Sequence, residues 1–114
     1  MMKEQQSSTL TNCIKAADEI YNFLNFSGIT VTEHNNNSLV IPVNNKHFDA
    51  LYVIVPISVN KFRSKSDVIY NPIIDIVLLK DNKFYYDNAL GYEDAKRFIN
   101  IYDFLREISN LMYM

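Results

Sequence analysis

The run from Asp67 to Tyr86, DVIYNPIIDIVLLKDNKFYY, limits the fold more than any other part of the chain, because it is the longest source of β-branched and aromatic side chains. Ile73 to Leu79 is apolar except for Asp75, the pair Asp81-Asn82 interrupts, and Phe84, Tyr85 and Tyr86 resume strand-forming character. That is the pattern of a hairpin, with Val68 to Tyr70 leading into it. A two-residue turn at Asp81-Asn82 sets Leu79 against Phe84, Leu78 against Tyr85 and Val77 against Tyr86. It also sets Lys80 against Lys83, so a four-residue loop from Lys80 to Lys83 is the competing geometry. Apolar residues occupy both faces of the first strand, which predicts cover on both sides.

What packs on that hairpin must come from a single domain, 1–114, with residues 1–8 expected as a frayed lead-in. A chain of 114 residues with 48% hydrophobic and 21% charged residues has the composition of a folded globule. At this length it buries roughly 65% of the surface its unfolded form exposes, enough to fold without a disulfide or a metal. Cys13 is the only cysteine, and beside Ile14 and Ala17 it reads as a small apolar filler. No apolar run of secretory type occupies the first eleven residues and no window has the length of a membrane span. A cytoplasmic location and no membrane partner are therefore expected. A net charge of −2 argues against broad binding to a phosphate backbone.

Leu10, Ile14, Ala17, Ile20 or Tyr21, and Leu24 recur at helical spacing, with Phe23 and Phe26 widening the stripe. Ser7, Ser8 or Thr9 supplies an N-cap, and Gly28 a stop. Ile29 to Thr32 alternates as a strand, His34 to Ser38 is a turn cluster, and Leu39 to Val43 returns antiparallel. Pro42 puts its strand at an edge or breaks its ladder locally. Leu51 to Val59 reads as a long central strand with an irregularity at Pro56. Asn60 to Asp67, NKFRSKSD, is the most basic segment, a polar connection in which Lys61, Arg63 and Lys65 alternate around Phe62. From Glu93 onward, Phe98, Ile101, Tyr102, Leu105, Ile108 and Met112 repeat at helical spacing, with Glu93 and Asp94 in the first turn. Ile99, Leu111, Tyr113 and Met114 fall outside that stripe. The expected fold is α+β, a two-layer domain in the order α-β-β-β-β-β-α, its antiparallel sheet covered largely on one face by both helices.

Few chemistries survive inspection. His34 and His47 lie in turns without a Cys or second His at ligand spacing, and the two glycines form no phosphate-cradling loop. Asp75 followed by Asp81-Asn82-Lys83 distantly suggests a metal-dependent nuclease hairpin. Six residues of strand place those carboxylates about 20 Å apart, too far to share one ion. No catalytic residue, metal site or cofactor is expected.

At Asp67-Val-Ile-Tyr-Asn-Pro72, then Ile74, Ile76, Lys80-Asp-Asn-Lys-Phe84 and Tyr85, the chain resembles a family of small uncharacterised proteins carried by phages and plasmids. The resemblance covers the middle third to half of the chain. That family shows a helix, paired strands and a Gly-Asp-Leu-x-x-Asp-Pro-Glu-like segment before its hairpin. Ser66, Asn71 and Ile73 stand here where the family has Gly, Asp and an acidic residue, so a reaction served by those carboxylates is not implied. The resemblance implies a mobile-element setting. With small size and aromatic anchors at Tyr70, Tyr85, Tyr92 and Tyr113, it points to a non-enzymatic protein-binding module, an inhibitor of a host defence or regulatory protein. The expected partner is a host or phage protein, or a second copy of the chain. The alternative is a nucleic-acid accessory protein using Lys61, Phe62, Arg63 and Lys65.

Overall fold

A computed structural model describes residues 2–43, 46–81, 83–84 and 96–112. Helix α1 (Met2–Phe26) leads into strands β1 (Glu33–Asn35), β2 (Ser38–Pro42) and β3 (Ala50–Ile54). A short helix α2 (Lys65–Tyr70) precedes β4 (Ile74–Lys80), β5 (Lys83–Phe84), β6 (Lys96–Phe98) and helix α3 (Ile101–Met112). All pairings are antiparallel in the order β1-β2-β3-β4-β5, with β6 also on β4. The fold is the expected α+β open sheet with a helix at either end; α2 and β6 are additions to it.

The sheet has one face for the helices, set by side-chain alternation. In register, Leu39 lies beside Val53 and Ile76, while Ile41 lies beside Leu51 and Leu78. These residues join Cys13, Ala16, Ala17, Ile20 and Leu24 of α1 and Ile101, Phe104, Ile108 and Leu111 of α3 in one buried cluster. Each fully buried Leu, Ile or Phe side chain contributes roughly 1.5–3 kcal/mol. The opposite face carries the row Val40, Tyr52, Val77 and, next to it, Ile54 beside Asp75 beside Arg97. Arg97 donates from Nε and Nη2 to the two Asp75 carboxylate oxygens at 2.8 and 3.1 Å. Asp75, the polar interruption in an otherwise apolar strand, therefore ties β4 to β6.

Side-chain amides finish the central pairing where backbone cannot. Continuing the β3–β4 register from Ile54 and Asp75 would set Pro56 opposite Ile73, and proline has no N–H to give. Asn60, buried, takes its place. Its Oδ1 accepts the Ile73 N–H at 2.7 Å, and its Nδ2 donates to the carbonyls of Ile73 at 3.1 Å and Pro56 at 2.8 Å. On the neighbouring β2–β3 ladder the Asn37 backbone carbonyl accepts the Val55 N–H and its side-chain amide donates to the Val55 carbonyl, both at 2.8 Å.

Several local expectations give way. Helix α1 begins at Met2, so Ser7, Ser8 and Thr9 lie inside it and none is its N-cap. Leu10 and Phe26 are exposed, and Cys13 and Ala16 complete the buried stripe instead. The first strand is Glu33–Asn35 rather than 29–32, because the tight turn at Asn36-Asn37 pairs Asn35 with Ser38; Ile29 and Val31 instead pack their side chains on the core. The strand expected from Leu51 to Val59 ends at Ile54, ahead of Pro56. Residues 68–70 are helix, not strand, since Ser64 and Asp67 cap that turn and Asn71-Pro72 stops it. Phe98 belongs to β6, paired with Ile74, and the last helix begins at Ile101, where Asn100 Oδ1 accepts the Tyr102 N–H at 2.7 Å. Tyr102 is accordingly exposed and Leu111 buried. Glu93 and Asp94 lie outside the described residues.

Other expectations hold. Lys80 pairs with Lys83 and Leu79 with Phe84, so the two-residue turn wins. Asp81 takes φ of +53°, as a mirror-image hairpin turn requires. The Lys80 ammonium is satisfied by the Lys46 carbonyl at 3.1 Å. Pro42 ends β2 beyond the reach of β1, so no donor is missed. Gly28 closes α1 at φ of +80°, with Gly28 N–H on the Asn25 carbonyl and Ile29 N–H on the Leu24 carbonyl.

Asn60→Ala strands the Ile73 N–H away from any partner and lowers unfolding free energy by about 1–3 kcal/mol, measured by urea denaturation. Gly28→Ala meets no neighbour, so its cost, about 1 kcal/mol, comes from the left-handed backbone alone.

Candidate functional site

Helix α1 turns two faces to the protein. One is its core stripe. On its flank, Asn12, Lys15 and Glu19 follow one another at three- and four-residue spacing, which stacks them along one side of a helix. Opposite them runs the segment that leaves Asn60 and enters α2. Asp67 shapes that segment: Oδ2 accepts the backbone N–H of Arg63 and of Ser64, both at 3.1 Å, and Oδ1 accepts from the Asn71 amide at 3.2 Å. The Asn71 amide first, then those backbone donors, hold the Asp67 carboxyl below the usual carboxylate range.

Between the two lies a cleft of about 370 Å³ lined by Asn12, Lys15, Glu19, Phe62, Arg63, Ser64, Lys65 and Val68. Among the described residues, no ion pair engages Lys15, Arg63 or Lys65. Charges that are paired lie elsewhere, as Asp75 with Arg97 and Glu107 with Lys96. Glu19 Oε2 is shut off from solvent and has no hydrogen-bond partner among the described residues. Glu19 also borders a second hollow, about 420 Å³, that continues along α1 past Asn22 and Phe23 to Phe26. Phe26 is 94% exposed, against the expectation that it widens the core stripe.

Three of the four residues expected to meet nucleic acid, Phe62, Arg63 and Lys65, line the cleft; Lys61 is exposed outside it. They do not alternate along an extended strand, since Lys65 opens α2, and Phe62 packs against the core with only part of its ring free. Of the expected partner anchors, Tyr70 is exposed at the end of α2, while Tyr85, Tyr92 and Tyr113 lie outside the described residues. Lys15 and Glu19 were not singled out by sequence. Their helical spacing with Asn12 was visible, but only the docking of α2 on α1 shows what that flank faces.

Among the described residues no group of three His, Cys, Asp or Glu side chains could hold a metal ion. Both oxygens of Asp75 are engaged by Arg97. His34 clamps β1 onto α1, its Nε2 at 2.8 Å from Asp18 and its ring stacked on Tyr21 at 4.6 Å. No described helix is long and apolar enough to cross a membrane. Cys13 is fully buried, and burial pushes its thiol up to about 11, the opposite of what a nucleophile needs. No family model, curated protein or solved structure matches the chain.

The folded protein therefore leaves Cys13 unmodified by a thiol reagent that labels it at once in denaturant. Because the folded thiol keeps its proton where the unfolded chain has released it, Cys13 makes stability fall as pH rises from about 9 to about 11. In Cys13→Ala that component of the alkaline loss disappears, read as the difference between the two denaturation series.

Proposed function

We propose that the chain is a non-enzymatic protein-binding module whose contact surface includes the outer flank of α1. The observation that carries this reading is Phe26. A phenylalanine 94% exposed, above the half-buried Phe23 and beside an open hollow, gains little for the folded monomer. Burying it against a partner contributes the ring's full transfer free energy, and aromatic anchors of this kind dominate measured interfaces. Tyr70, 56% exposed at the end of α2, adds a second aromatic ring. A phage or mobile-element origin and an inhibitory role against a host protein fit such a module and rest on the resemblance around Asp67–Tyr85. The alternative reading, a nucleic-acid accessory protein, draws on Lys15, Arg63 and Lys65 at the cleft.

Phe26→Asp and Tyr70→Asp separate these readings. Both sites are exposed, so folding stability stays within about 0.5 kcal/mol. A protein partner captured at micromolar concentration by the parent chain is lost by at least tenfold in Phe26→Asp and retained in Lys61→Ala. Nucleic acid co-purifying in place of any protein, with affinity falling steeply in salt and abolished by charge reversal at Arg63 and Lys65, replaces the first reading with the second.

A further inference from the structure

We draw no further inference here: the strongest candidate, the exposed apolar surface patch of Ile99 and Tyr102 where β6 passes into α3, carries nothing because nothing in the structure shows what covers it.

Discussion

The helical side of this molecule depends on the pairing of β3 with β4, and the side chain of Asn60 completes that pairing. Pro56 ends the backbone ladder because it has no proton to donate, and the chain must still travel from the end of β3 to the start of β4. The Asn60 amide presents a donor and an acceptor in the spacing of a peptide group, so Ile73 is hydrogen bonded as if another strand residue lay beside it. With both strands fixed, Leu51, Val53, Ile74, Ile76 and Leu78 form a continuous floor for α1 and α3. On the β2–β3 side, the Asn37 side-chain amide meets the Val55 carbonyl, while its backbone carbonyl takes the Val55 N–H.

The same exit creates the cleft. Once Asn60 has turned the chain back, residues 61–64 must cross towards α1 before Asp67 can gather the backbone into α2. The crossing brings Arg63 and Lys65 to the flank of α1 that carries Lys15 and Glu19. A structural amide and a capping carboxylate thus decide where the free charges sit. Asp67 is the more telling of the two, since its oxygens accept from the Arg63 and Ser64 backbone and from Asn71.

Much of the fold could be read from the sequence where periodicity and turn chemistry agree. The strand from Ile74, the Asp81-Asn82 turn, the Gly28 stop and the core stripe of α1 from Ala17 to Leu24 all follow from local pattern. The reading fails where one local signal was outweighed by a tertiary one. Val68 to Tyr70 has strand composition, yet capping by Ser64 and Asp67 and the packing of Val68 favour a turn of helix. Phe98 lies on the helical period of α3, yet Ile74 and Asp75 needed a strand partner, and Asn100 offered a helix start two residues later. The cleft was half visible: Phe62, Arg63 and Lys65 stand together in sequence, but Lys15 and Glu19 are some fifty residues away, and no local pattern joins them.

One further consequence follows from the way β4 shares its outer side between two short strands. Lys83–Phe84 covers one end of it and Lys96–Phe98 the other, so the unpaired amides that a sheet margin normally displays are occupied there by the chain's own later residues. A polypeptide released or cleaved before Lys96 would leave Ile74 to Ile76 as an open margin, apolar but for Asp75 and lacking the Arg97 that answers its charge. Such a margin templates strand addition from other copies. Protection against self-templating therefore arrives only with Lys96–Phe98, just ahead of the helix that roofs the core.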